Sequence, residues 1–154
     1  MTVLLRVASL NAAYAAALDA DRLEEWPGFF VEECFYKVTT AENFRKGLQA
    51  GVIYADSRKM LEDRVFALRT ANIYERQSYR HVVGLPVVLA QGGEVTEAEA
   101  PFVVVRTMRD GAMAVFAAGR YLDKLRDEGG ALRFVERVVI CDSPRFDTLL
   151  AIPL

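Results

Sequence analysis

Between Thr2 and Ala20 apolar residues return every three or four positions, as Leu4, Leu5, Ala8, Ala12, Ala15 and Leu18. That spacing is helical, and the density of alanine suits close packing on another layer. Asp19 to Asp21 interrupts the pattern. Asp21 reads as the N-cap of a second, short helix through Trp26, which Pro27-Gly28 ends. Trp26, Phe29 and Phe30 then make an apolar corner expected in the core. After it the period drops to two: Cys34, Tyr36 and Val38 alternate with Phe35, Lys37 and Thr39, which predicts a strand over Glu33–Thr40. Ala41–Ala50 is polar and irregular, and Gly51–Ala55 is a short extended piece. Asp56 and Ser57 both suit the cap of a third helix, Arg58–Thr70. Met60, Leu61, Val65 and Leu68 form its apolar face, and Arg58, Lys59, Glu62, Asp63 and Arg69 its solvated one.

From Gln77 onward the chain alternates long strands with turn signals. Gln77–Ala90 reads as one strand, bulged or bent at Gly84 and Pro86. Gln91–Glu94 turns, Val95–Arg109 runs back, and Asp110-Gly111 is a hairpin signal. Ala112–Lys124 pairs back, Asp127–Gly130 turns, and Ala131–Cys141 is the last long strand. Helices followed by a meander of strands predict an α+β fold, with helices packed on one face of a curved antiparallel sheet. Neither a repeat nor a linker divides residues 1–154, so one domain is expected. The segment Thr148–Leu154 is too apolar to extend into water. It docks on its own sheet or on a partner.

Composition narrows the function classes. A chain of 154 residues with 53% hydrophobic and 26% charged residues has ample material for a core. The formal net charge of -2 creates no field favouring nucleic acid or an anionic membrane. Arg6 interrupts the first apolar run, and no positive region precedes it, so that run reads as a domain helix and not a targeting segment. Cys34 and Cys141 are expected as reduced core residues of a cytoplasmic protein.

His81 is the single histidine. A Rieske cluster takes two His and two Cys, and a facial-triad iron takes two His and a carboxylate. Neither assembles from this chain alone, and Cys/His zinc sites fail likewise. Proton transfer remains: His81 with Asp56, Tyr36 and Tyr54 would line a pocket between helices and sheet. Against this, Arg80 and His81 are adjacent on a strand and point to opposite faces, which suits a structural or interfacial pair. The late arginines Arg106, Arg109, Arg120, Arg126, Arg133 and Arg137 read either as the solvent face of the sheet or as a partner surface.

Several segments in this order carry a resemblance. They are Trp26 with Phe29-Phe30 ahead of the strand holding Tyr36, Asp56 ahead of the helix with Arg64, and the Arg80-His81 pair. The runs VVVRTMRDGAMAVFAAGRYLDKL and LRFVERVVICDS complete the set. The chain resembles the small (β) subunits of aromatic-ring-hydroxylating dioxygenases, whose cone-shaped fold is of the SnoaL-like, cystatin-like kind. It departs from many of them at Gly84-Leu85-Pro86, where they carry an asparagine. The resemblance implies a structural, assembly subunit with no catalytic, cofactor or metal residues of its own. It implies a large (α) subunit bearing the Rieske 2Fe-2S cluster and the mononuclear iron, commonly in an α3β3 hexamer. The complex would cis-dihydroxylate an aromatic carboxylate, with a separate reductase supplying electrons. Structural or interface candidates are then Tyr79, Arg80, His81, Arg64, Asp56, Trp26, Arg106, Arg120 and Leu154. The alternative is a stand-alone cone-pocket isomerase or dehydratase, or a small-ligand module, using His81 and Asp56.

Overall fold

The structure is a computed structural model that describes residues 1–48, 51, 53–71, 77–144 and 152–154. Helix α1 spans Val3–Asp19, capped by Thr2, whose hydroxyl accepts the Leu5 N–H at 3.2 Å. Asp21 does not cap the next element. It adopts a left-handed backbone, φ 60°, and a 3-10 helix runs Leu23–Phe29 with Pro27 inside it. The strand predicted from Glu33 begins earlier: β1 is Phe30–Thr40. Helix α2, Ala41–Arg45, forms where irregular chain was expected, because the Thr40 hydroxyl accepts the Asn43 N–H and caps it. Gln49, Ala50 and Val52 of the predicted irregular and extended pieces lie outside the described residues. Strand β2 is Ile53–Ala55 and helix α3 is Arg58–Ala71. Of its two candidate caps, Ser57 serves, accepting the Met60 N–H at 3.2 Å.

The predicted strand Gln77–Ala90 is two strands, β3 (Gln77–Val83) and β4 (Val87–Ala90), both paired antiparallel with β5. The break falls at Gly84–Pro86. Gly84 donates its N–H to Pro101 O at 2.8 Å, and a Cβ there would sit 2.7 Å from Pro101 Cγ. Strands β5 (Thr96–Met108), β6 (Met113–Glu128) and β7 (Ala131–Cys141) complete the meander.

The sheet order is β2-β1-β7-β6-β5-β3. The α+β architecture of helices on one face of a curved sheet holds, with one pair differing in direction. β1 and β7 run parallel. Hairpins force antiparallel neighbours, whereas these two strands are joined by most of the chain, which leaves their direction free.

The inner face of the sheet closes over aromatic side chains. Trp26, Phe30, Tyr36, Tyr121 and Phe134 are all fully buried, with Tyr14 of α1 and Leu61 of α3 above them. Trp26 meets Tyr36 edge-on at 5.2 Å, and Tyr14 meets Phe134 edge-on at 5.6 Å. Such edge-to-face pairs add ~0.5–1.5 kcal/mol beyond their buried area. The late arginines do not all face solvent. Arg137 is completely buried and Arg106 nearly so.

Candidate functional site

The cone between helices and sheet is where a catalytic pocket would lie in this architecture, and here side chains occupy it. The Tyr14 hydroxyl donates to Leu154 O at 2.8 Å, and the Tyr36 hydroxyl donates to the same oxygen at 3.0 Å. Leu154 N–H donates back to the Tyr36 hydroxyl at 3.3 Å, and Trp26 Nε1 donates to the Tyr14 hydroxyl at 3.0 Å. Burial pushes both phenols above their ordinary value, so both are protonated donors at neutral pH. Ile152 and Leu154 dock on the chain's own core. Thr148–Ala151 of the same predicted docking segment lie outside the described residues.

Deeper in the cone, Arg137 Nε and Nη2 each meet an Asp123 oxygen at 2.8 Å, and Nη2 donates to Asn11 Oδ1 at 2.5 Å. The guanidinium packs on Tyr121 at 3.8 Å, Phe134 at 4.0 Å and Tyr14 at 4.5 Å. Burial works against the Arg137 charge, and Asp123 more than restores it, so its pKa is raised. This is a sealed structural ion pair. In the sequence Arg137 reads as one of the arginines of a solvent face or a partner surface and Asp123 goes unnamed, although one signal was there. Tyr121, Asp123 and Leu125 share one face of β6 at period two, and Arg137, Val139 and Cys141 share one face of β7.

His81 does not meet Asp56, Tyr36 and Tyr54 in a pocket. Its partner is Asp19, at the last turn of α1. Asp19 Oδ1 lies 2.6 Å from His81 Nδ1, and Asp19 Oδ2 accepts the His81 backbone N–H at 2.8 Å. The imidazole is fully buried and the carboxylate nearly so. Asp56 is exposed instead, with the Tyr54 hydroxyl 3.4 Å from it. Arg80 is exposed where His81 is buried, and its Nη1 approaches the same carboxylate, Asp19 Oδ2, to 3.8 Å. With the guanidinium in water and the contact long, this ion pair contributes ~0–1 kcal/mol. The buried bonds of Asp19 matter more. Asp19→Ala strands a buried N–H and an imidazole, so a stability loss of ~1–3 kcal/mol is expected. Asp19→Asn keeps a carbonyl acceptor and loses less. Urea unfolding checks both, and an Asp19→Ala midpoint equal to wild type would rule out this tie.

The remaining candidates scatter. Tyr79 is buried and stacks on Phe116 at 5.0 Å. Arg106 lies over the same Phe116 ring, also at 5.0 Å. Arg120 pairs with Glu99 at 2.8 Å on the outer face, 5.5 Å from the Phe44 ring. Arg64 is half-buried on α3, and burial lowers its guanidinium while Tyr36 opposes the shift. Cys34 and Cys141 are buried free thiols, pushed up by burial to about 11 and about 12. Among the described residues, no group of three or more His, Cys, Asp or Glu side chains converges as a metal site. Nor, among them, is any helix long and apolar enough to cross a membrane.

A groove of about 530 Å³ runs between α1 and the β3–β4 connection. Ala8, Ala12 and Ala16 form one wall, and Val82 and Leu85 the other. Arg80, His81 and Asn11 also line it.

A helix-backed, strongly curved sheet whose cone is closed by its own aromatic residues defines the class: a SnoaL-like α+β cone. Comparison with known proteins places it further. A model of the ring hydroxylating beta subunit family matches residues 13–148. Terephthalate 1,2-dioxygenase terminal oxygenase component subunit beta 1 of Comamonas sp is 51% identical, over 97% of both chains. The anthranilate 1,2-dioxygenase small subunit of Burkholderia cepacia is 42% identical, over 94% of this chain and 90% of that one. A crystal structure described as the beta subunit of an aromatic-ring-hydroxylating dioxygenase from Novosphingobium aromaticivorans superposes with a TM-score of 0.90. It is 42% identical and covers 98% of this chain and 96% of its own. The chain belongs to the ring hydroxylating beta subunit family, the small subunits of aromatic-ring-hydroxylating dioxygenases.

Proposed function

We propose that this chain is a non-catalytic assembly subunit of a cytoplasmic dioxygenase that cis-dihydroxylates terephthalate. The observation that carries this reading is the occupied cone. Tyr14, Tyr36, Leu154 and the Asp123–Arg137 pair fill the volume where a pocket enzyme of this fold would hold substrate. Substrate, Rieske 2Fe-2S cluster and mononuclear iron then belong to a large subunit, joined to this one in an α3β3 hexamer. A reductase supplies electrons from NAD(P)H, and dioxygen supplies both hydroxyl oxygens. The choice of terephthalate rests on the 51% identity to the Comamonas subunit.

Co-expression with a large subunit of the same family tests the reading. Size-exclusion mass analysis is expected to give a mixed hexamer with iron stoichiometric to the large subunit. The small subunit purified alone is expected to hold none, and the complex with its reductase to consume terephthalate. Iron bound by the isolated chain, or failure of the two chains to associate, would overturn it. Turnover of another aromatic acid in preference to terephthalate would overturn the substrate.

A further inference from the structure

We infer that the groove between α1 and the β3–β4 connection seats a segment of the large subunit carrying apolar side chains beside a carboxylate. The inference rests on the assembly role proposed above and assigns it a place on the chain. Two buried polar groups among the groove-lining residues point to an occupant. His81 Nε2 has no hydrogen-bond partner among the described residues, since Nδ1 is spent on Asp19. Asn11 Nδ2 has none either, since Asn11 Oδ1 is spent on Arg137. Buried polar atoms are nearly always paired in a finished structure, and both orphans belong to residues in the wall of this one groove.

The rim says what kind of occupant completes it. Val82 is 58% exposed and Leu85 69% exposed, facing the alanine wall of α1. Large aliphatic groups side by side in water mark surfaces that another macromolecule covers. A small ligand on the groove floor would leave this rim wet. The alanines admit a close-lying backbone, because nothing beyond Cβ projects from that wall. Charge selects the polar part of the segment. The Arg80 side chain is 76% exposed at the rim, and its neighbour in the groove wall, the nearly buried Asp19, stands 3.8 Å from one of its nitrogens, so the guanidinium keeps donors open for a carboxylate. Arginine is favoured at protein interfaces for this pairing.

Substitutions at exposed positions test this without disturbing the core. Ala12→Trp fills the groove from the α1 wall, and Leu85→Asp puts a charge on its rim. Ala13→Trp, on the same exposed helix but outside the groove, is the control. Each is co-expressed with the large subunit, and the yield of co-purified complex is measured beside the melting temperature of the small subunit alone. The expected result is at least a tenfold loss of complex for Ala12→Trp and Leu85→Asp. Melting is unchanged, and Ala13→Trp retains its complex. Full complex formation by both groove variants, with the wild-type complex present, overturns the groove and leaves the assembly role standing. Loss of complex by Ala13→Trp as well overturns the assignment to this groove. Absence of a complex even with wild type removes the assembly role itself.

Discussion

Replacing Arg137 by Met is expected to destabilise the chain by ~3–5 kcal/mol, because it leaves the Asp123 carboxylate buried without its countercharge. The geometry leaves little room for relief. Arg137 is 0% exposed, and Asp123 stands directly opposite it across the β6–β7 ladder. Burial already pushes the Asp123 carboxyl up, with Arg137 opposing. Without the guanidinium the acid takes up a proton or draws in water, and either disrupts the packing of Tyr14, Tyr121 and Phe134. The double variant Asp123→Leu/Arg137→Met is the informative comparison. An apolar pair of similar volume is often neutral or better than a buried ion pair. The residual loss is then ~1–3 kcal/mol from Asn11, whose Oδ1 loses its donor. Chemical denaturation of wild type, both single variants and the double variant gives the coupling directly. A double variant as unstable as the sum of the singles would show that the two residues do not act as a unit.

Removal of Ile152–Leu154 is expected to cost about as much as the whole fold is worth. Burying Ile152 and Leu154 contributes ~1.5–3 kcal/mol each. The Tyr14 and Tyr36 hydroxyls, stranded in the core, add ~1–3 kcal/mol each. Net stabilities of domains are only ~5–15 kcal/mol. The truncated chain should therefore lose its cooperative thermal transition and its near-ultraviolet circular dichroism. Leu154→Ala separates side chain from backbone. It keeps the hydrogen bonds to both tyrosines and should lose ~2–5 kcal/mol. A cooperative, wild-type-like melt of the truncated chain would mean that the tyrosine network is peripheral to the fold.

Local periodicity carried most of the fold. The apolar repeat through α1 and α3, the alternation in β1 and the turn signals at Asp110-Gly111 and Asp127–Gly130 all mark elements that form. What periodicity could not carry was pairing across long separations. Asp19 and His81 are 62 residues apart, and nothing local links them, so Asp56, a nearer carboxylate, was the expected partner. The parallel β1–β7 pair is hidden for the same reason. Gly84 and Pro86 signalled a bend, and the chain makes a full break there: Pro86 has no N–H to give the ladder, and Pro101 closes the space a side chain at 84 would need. Arg137 misled by residue type: a charge on an antiparallel strand reads as solvent-facing. Its place in the Arg137, Val139, Cys141 series was the better guide.

The tie between Asp19 and the His81 N–H has a consequence for how the chain behaves among copies of itself. β3 ends the sheet order, so half of its backbone groups turn away from β5. A row of open backbone donors and acceptors is a template on which a foreign strand can add, the first step of aggregation. Here a carboxylate from α1 takes one of those donors, and the helix lies alongside. At the opposite border β2 spans Ile53–Ala55, three residues, too short to template much. At one margin a donor is withdrawn, and the other is cut short. A chain that exposes so much aliphatic surface while it waits for a partner can thereby remain dispersed.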